Sequence, residues 1–222
     1  MTLTFGSVCN DGVVLISDKK VTYDNGNYEY DLKLYPINDY CIIGYAGNRG
    51  AFNTYKNKIE LLIGSSYNNK PKNLLDLLIK EFASNYTYKS FDILLGMSNF
   101  ENSKSVLITL YHDGGFENKN HYEIGSGSHH SLLFLNQNWN PNLNMIQVST
   151  MGYFIIRYIE HFRLQNDVGL NGGYPSIWFI PNNGMPYQAE KSFLEETKSK
   201  VEDRITSFET NINLSDLFNI ST

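Results

Sequence analysis

Alternating apolar and polar positions at the start of the chain predict a β-hairpin. In the segment TLTFGSVCNDGVVL, two apolar or small-residue runs flank the turn formers Asn10, Asp11 and Gly12, which is the strongest short hairpin pattern. Residues 30–35 and 40–45 are predicted to form two further strands, because turn formers separate them. The N-terminal part of the chain is therefore predicted to be mostly sheet.

After Gly47 the apolar positions change to the three- or four-residue spacing of a helix face. The first predicted helix ends near Gly64, and the second begins at Pro71, a residue favoured in a first helical turn. Two more helices are predicted over residues 151–162 and about 190–208, the second of them charged and amphipathic. Strand candidates are residues 91–97, 105–112, 121–124 and 176–180.

This order of elements predicts two sheets that pack face to face, with helices on the outside. The fold class is therefore predicted to be α+β. A chain of 222 residues is short enough for one domain, and no long linker or internal repeat interrupts it, so residues 1–222 are predicted to form a single domain.

Charge and composition exclude several classes of partner. The chain has 18 Lys and Arg residues against 23 Asp and Glu residues, a formal net charge of −5 at pH 7, so no broad basic field is available for nucleic acid. No apolar run approaches the roughly 20 residues that span a bilayer, and no membrane partner is expected. The start of the chain lacks the pattern of a secretory signal, which predicts a cytoplasmic location.

Metal and disulfide chemistry are not predicted. The five histidines show no metal-ligand spacing, so no metal and no cofactor are expected. Cys9 and Cys41 lie in apolar segments, where a thiol usually packs as a small hydrophobe.

The second residue is the first candidate for chemistry. Thr2 is small enough for Met1 to be removed in the cell, which would leave Thr2 with a free α-amine. A hydroxyl needs a base within hydrogen-bond reach, and an α-amine with an ordinary pKa near 7.7–8.0 can serve as that base. Thr2 can therefore supply both a nucleophile and its base.

Two segments of the first 50 residues carry a family resemblance. The segment TLTFGSVCNDGVVLISDKKVT resembles the opening of proteasome β-type subunits, which are N-terminal nucleophile threonine peptidases: Thr2 matches the nucleophile and Asp18 the aspartate after the hairpin, while Lys20 replaces the usual arginine. The segment DLKLYPINDYCIIGYAG resembles the family's lysine-bearing strand and its Ala-Gly turn, and places Lys33 and Gly47 on the matching positions.

The resemblance implies a role for each of these residues. The Thr2 hydroxyl attacks a peptide carbonyl, and its α-amine acts as the base. The cation of Lys33 favours the deprotonated forms of the hydroxyl and the amine, and Asp18 orients Lys33. The backbone N–H of Gly47 stabilises the oxyanion, because no side chain obstructs a close approach there.

Two further site residues follow from the second half of the chain. The segment HYEIGSGSHHSLLFL resembles the family's Gly-Ser-Gly-Ser element before a helix and maps Ser126 onto the residue that supports the nucleophile. Asp167 in LQNDVGLNGGYPSIWF resembles the aspartate of a later active-site loop. The serine expected after this aspartate is missing: Gly169 or Asn171 stands in that region, and the next Gly-Gly pair comes one residue later than usual.

A substrate pocket is expected beside Lys33 and Gly47. Its candidate residues are Tyr35, Tyr45 and Arg49, whose aromatic bulk and charge would limit its depth and suit a polar or acidic side chain.

Taken together, the resemblance implies the four-layer αββα sandwich of N-terminal nucleophile hydrolases and a threonine-type endopeptidase. The implied partners are a peptide or unfolded protein as substrate and related subunits in a homo- or hetero-oligomeric ring; an ATP-dependent unfoldase is a further partner that the resemblance allows. Two alternatives stay open: a catalytically inactive structural subunit, and an amidase that acts on a small amide.

Overall fold

The computed structural model describes residues 3–22, 27–66, 70–84, 90–102, 104–118, 120–164, 166, 168–171 and 173–211. The strands in these residues, β1 to β12, are Leu3–Val8, Gly12–Ser17, Lys20–Thr22, Tyr28–Tyr30, Leu34–Asn38, Cys41–Gly47, Phe91–Glu101, Lys104–Leu110, Phe116–Asn118, His121–Gly125, Ser176–Pro181 and Tyr187–Gln188. The helices, α1 to α5, are Arg49–Ser66, Pro71–Ser84, Ser128–Asn138, Met145–His161 and Lys191–Asn211.

Most strands belong to two five-stranded sheets. The first sheet has the order β10-β1-β2-β11-β12 and the second the order β5-β6-β7-β8-β9, while β3 and β4 form a separate two-stranded ribbon. The strand pairs are antiparallel; Leu3 pairs with Gly125 across β1 and β10, and Thr4 pairs with Ser17 across β1 and β2. Strand β1 therefore lies inside the first sheet, with a partner on each side.

Three apolar clusters define the layers. One cluster lies between the first sheet and helices α3, α4 and α5, and a second lies between the other sheet and helices α1 and α2. The third joins the facing sides of the two sheets, with Leu15 from one sheet and Leu107 from the other. A Cβ atom at Gly6 would lie only 2.6 Å from the side chains of these two leucines, so the glycine permits close packing of the sheets. The predicted four-layer αββα arrangement is confirmed.

Two predicted elements differ from the structure. The strand predicted over residues 30–35 is divided, because β4 ends at Tyr30 and β5 begins at Leu34; the intervening Lys33 side chain is buried. The helix predicted over residues 151–162 is α4, which begins earlier, at Met145. Among the described residues, no helix combines the length and apolar character needed to cross a membrane.

Specific caps set both ends of α4. At its start, the Asn144 side chain accepts a hydrogen bond from the Gln147 N–H, and the Gln147 side chain accepts one from the Asn144 N–H, which is a capping box. At its end, Arg163 has a φ of +51° and its N–H donates to the Glu160 carbonyl, while the Leu164 N–H donates to the Ile159 carbonyl. These two bonds form a Schellman motif, which directs the chain after α4 back towards the first sheet.

Candidate active site

A buried carboxylate marks the end of β1 at which the chain enters the first sheet. Asp18, directly after β2, has no exposed surface. Its Oδ1 accepts the Leu3 N–H at 2.9 Å, and its Oδ2 accepts the N–H groups of Lys20 at 3.1 Å and Gly169 at 3.2 Å. Three backbone donors therefore compensate for the water that the carboxylate has lost.

Lys33 is the cationic partner of Asp18. Its Nζ lies 2.6 Å from Asp18 Oδ1 and also donates to the Lys20 carbonyl, and the lysine is only 1% exposed. The Tyr45 N–H donates to the Lys33 carbonyl at 3.3 Å, which ties this segment to β6. Removing both charges from water is costly unless the two ions meet in good geometry, so the fold brings Asp18 and Lys33 together as one unit.

Thr2 and Asp167 lie outside the described residues. Their neighbours in the chain are described and both contact Asp18: Leu3, which follows Thr2, donates its N–H to Oδ1, and Gly169, two residues after Asp167, donates its N–H to Oδ2. A further contact holds the same loop, because Lys20 Nζ donates to the Asn166 carbonyl.

Gly47 ends β6 and faces an open cleft. Its φ is +118°, a value that L-residues rarely adopt, and a Cβ there would lie 2.5 Å from the Ser90 carbonyl oxygen. Asn48 follows it and caps α1, since its side chain accepts the Ala51 N–H at 3.0 Å. Gly47 also lines a cleft of about 520 Å³. Only glycine fits this turn, and its backbone is accessible from the cleft.

Ser126 lines the same cleft, in the turn between β10 and α3. Its Oγ is buried and has no hydrogen-bond partner among the described residues. The adjacent Gly127 packs closely against Val168, because a Cβ on this glycine would lie 2.9 Å from Val168 Cγ2. The structure therefore brings Gly47 and Ser126 to one cleft and places the serine turn against the residue that follows Asp167.

Two of the expected pocket residues, Tyr35 and Tyr45, pack against helix α1. Tyr45 is 2% exposed, and its ring stacks on Phe52 with centroids 4.1 Å apart. Burial raises the pKa of the Tyr45 hydroxyl, and this hydroxyl has no hydrogen-bond partner among the described residues. Tyr35 lies beside both rings and donates its hydroxyl to the Leu32 carbonyl at 2.6 Å. The two tyrosines thus belong to the aromatic part of the second apolar cluster.

Arg49, at the start of α1, forms ion pairs with Glu29 and Asp31. It therefore ties α1 to the segment that leads into Lys33. The cleft that Gly47 lines does not include Tyr35, Tyr45 or Arg49 among its lining residues.

Polar residues that the sequence did not single out occupy the cleft wall and the later loop. In the cleft, Asp92 Oδ1 contacts both the backbone N–H and the ring Nδ1 of His112 at 2.8 Å. Near the loop, Glu160 accepts the N–H groups of Leu170 and Asn171. The strand register brings Asp92 and His112 together, and a carboxylate that binds distant backbone amides has no local sequence pattern.

Within the described ranges, no group of three or more His, Cys, Asp or Glu side chains could hold a metal ion.

The four layers place the chain in the class of αββα sandwich proteins. Within this fold, the buried pair of Lys33 and Asp18 lies beside the start of β1. The proteasome subunit family model matches residues 2–162. The match spans more than half of the chain, and the chain therefore belongs to the proteasome subunit family. Membership implies assembly with related subunits into a multi-subunit ring. A search of curated proteins found no match.

Proposed function

We propose that this chain is a threonine-type endopeptidase subunit, with the Thr2 hydroxyl as nucleophile and the α-amine of Thr2, freed by removal of Met1, as base. One observation carries the proposal. Asp18, which is buried and paired with Lys33, accepts the N–H of Leu3, the residue directly after Thr2. A cation enclosed at this position favours loss of the hydroxyl proton and disfavours protonation of the amine.

The chemistry proceeds in two stages. In the first, the Thr2 oxygen adds to a peptide carbonyl carbon while its proton moves to the α-amine, and the Gly47 N–H binds the resulting oxyanion. The C–N bond then breaks, the leaving amine takes the proton, and an ester on Thr2 remains. In the second stage, the α-amine removes a proton from water, the hydroxide adds to the ester, and the acid departs as the Thr2 hydroxyl is restored.

The surrounding residues support this assignment. Gly47 has an accessible backbone beside the cleft of about 520 Å³, which can take an extended peptide. The buried Ser126 Oγ at this cleft is suited to hold the α-amine, and Asp167 belongs to the loop that contacts Asp18 through Gly169. Tyr35, Tyr45 and Arg49 stay proposed for substrate selection, although none of them lines this cleft. The proposed setting is a cytoplasmic ring of related subunits that takes peptides or unfolded protein, supplied by an unfoldase where one is present.

The decisive experiment measures the intact mass of the full-length protein, purified in its assembled state, before and after treatment with a peptidyl epoxyketone. This electrophile requires a hydroxyl and a free α-amine on one residue. Loss of Met1 and one adduct are expected, together with cleavage of an unstructured protein. The adduct should disappear in Thr2→Ala and persist in Thr54→Ala, which removes an exposed hydroxyl on α1 that bonds to the Gly50 carbonyl.

The opposite result is equally clear. A retained Met1 with no adduct would exclude the peptidase for this form and leave a structural ring subunit. An adduct without cleavage of proteins or long peptides, but with release of ammonia or amines from small amides, would favour the amidase.

A further inference from the structure

The loop that contacts Asp18 is held from its other side by a second carboxylate. Gly169 donates its N–H to Asp18 and accepts the Lys19 N–H at 3.2 Å through its carbonyl. The next two residues, Leu170 and Asn171, donate their N–H groups to Glu160 Oε1 at 2.7 and 3.1 Å. Three consecutive amides therefore donate to two carboxylates.

Local backbone geometry makes Glu160 a specific partner for this loop. Asn171 has a φ of +49°, and a left-handed residue in a turn points successive N–H groups to one place, where they bind an anion. Hydrogen bonds to a charged acceptor are shorter and stronger than those between neutral groups. A Cβ on Gly169 would lie 3.1 Å from Glu160 Oε1, so the glycine leaves room for the carboxylate to pack against the loop.

Glu160 is itself fixed by a neighbouring cation. Arg157, one turn earlier on α4, pairs with Glu160 through one guanidinium nitrogen and with Glu202 on α5 at 2.8 Å through Nε. Burial alone would lower the pKa of Arg157, but the hydrogen bonds to Glu202 and Glu160 raise it. The carboxylate is therefore held by two helices that lie outside the sheet layer.

We propose that Glu160 is a positioning residue of the active site: by holding segment 168–171 it keeps the Gly169 N–H on Asp18 and so fixes the pair formed by Asp18 and Lys33. This inference rests on the proposed function where it concerns reactivity. The loop lacks the serine that the family resemblance leads one to expect after Asp167, and Glu160 supplies polar support for the loop backbone from α4.

The test compares Glu160→Ala, Glu160→Gln and the unmodified protein in the assembled state. Glu195→Gln is the matched control, because Glu195 forms an exposed ion pair with Lys191 at the start of α5. Hydrogen exchange with residue-level resolution measures the amides of Gly169, Leu170 and Asn171. Epoxyketone capture of Thr2 then gives the inhibitor's binding constant and the rate of the bond-forming step separately.

Glu160→Ala is expected to speed exchange at all three amides at least tenfold, including Gly169, which does not bond to Glu160 directly. The bond-forming step should slow about 10- to 100-fold with little change in inhibitor binding, since small displacements of catalytic groups have effects of this size. Glu160→Gln keeps an acceptor oxygen and should restore part of both quantities. Glu195→Gln should change neither.

Faster exchange confined to Leu170 and Asn171 would overturn the proposal, because Glu160 would then hold only its own two partners. A bond-forming rate in Glu160→Ala within twofold of the unmodified protein would overturn it as well. If the unmodified protein forms no adduct, the proposed peptidase function fails, and exchange at Gly169 alone decides whether Glu160 positions the loop on Asp18.

Discussion

The two charges of the buried pair, Asp18 and Lys33, are compensated by different groups. Asp18 accepts three backbone N–H groups besides the lysine, so much of its charge is compensated by the main chain. Lys33 places its ammonium directly against this carboxylate, and both side chains are enclosed. The energetic consequence of losing one partner should therefore depend on which partner is lost.

Substituting each partner tests this asymmetry. Asp18→Asn removes the carboxylate that pairs with the buried Lys33 ammonium, and we expect a loss of about 3–5 kcal/mol in the free energy of unfolding. Lys33→Met leaves the carboxylate with its backbone donors, so a smaller loss of about 1–3 kcal/mol is expected. Urea denaturation measures both. In the double variant the losses should be less than additive; equal single losses that simply add would contradict the asymmetry.

Gly47 combines a left-handed backbone with a crowded Cβ position. Backbone strain at such a position costs about 1–3 kcal/mol. Gly47→Ala is expected to lower the free energy of unfolding by more than this, because the added methyl also meets the Ser90 carbonyl. Gly114→Ala is the matched control: its φ is +91° and nothing lies within 4 Å of the added Cβ. Thermal unfolding compares the two. An equal shift in Tm would show that the Ser90 contact has no energetic weight.

At the scale of elements, the sequence predicted what local pattern determines. Apolar periodicity located the two layers of sheet and the outer helices, and the hairpin turn at Asp11 and Gly12 was visible directly. The earlier start of α4 had a local signal in Asn144 and Gln147, which form its capping box. Alternation alone could not show the break before Leu34, because the side chain of Lys33 is buried against Asp18, 15 residues earlier in the chain.

The same distinction holds for the candidate site: a local motif predicts some of its residues, and only the fold shows the others. A motif can place Asp18, Lys33 and Gly47, since each has a characteristic side chain or turn. The contacts of Glu160 with backbone amides ten and eleven residues later leave no trace in the identity of Leu170, because every residue except proline offers the same N–H group.

The end of α4 offers a test at this scale. Arg163 occupies the left-handed position of the Schellman motif, where glycine is usual. Alanine, an L-residue, is strained at this left-handed position by about 1–2 kcal/mol, and glycine is not. The free energy of unfolding should therefore be higher for Arg163→Gly than for Arg163→Ala. The difference is somewhat smaller than the strain, because glycine gives the unfolded chain more entropy. Both variants remove the same charge. Urea midpoints that rank alanine above glycine would contradict the assigned backbone.

At the scale of the whole molecule, the two cysteine thiols are buried in different layers of the fold. Cys9 belongs to the cluster beneath α4 and Cys41 to the cluster beneath α1 and α2. Burial, and then the charge of Asp11, raise the pKa of the Cys9 thiol to about 12, and burial raises the pKa of Cys41. Both thiols therefore stay protonated in the folded protein under alkaline conditions that ionise an exposed cysteine.

Stability should consequently fall as pH rises above the unfolded thiol pKa of about 8.5. Above this value the unfolded chain releases protons that the folded chain retains, which favours unfolding by up to about 1.4 kcal/mol per pH unit for each thiol. Urea midpoints between pH 7.5 and 9.5 measure the slope. The double variant Cys9→Ala with Cys41→Ala should flatten it; an unchanged slope would assign the effect to other groups.

The position of β1 inside the first sheet also has a consequence for biosynthesis. Leu3 leaves the ribosome well before its strand partner Gly125, and Asp18 leaves it long before Gly169, whose N–H it accepts. A nascent chain can form the hairpin of β1 and β2 early, but it lacks the later segments that complete the candidate site. Under the proposed function, unfinished subunits would therefore be unable to cleave neighbouring proteins during translation.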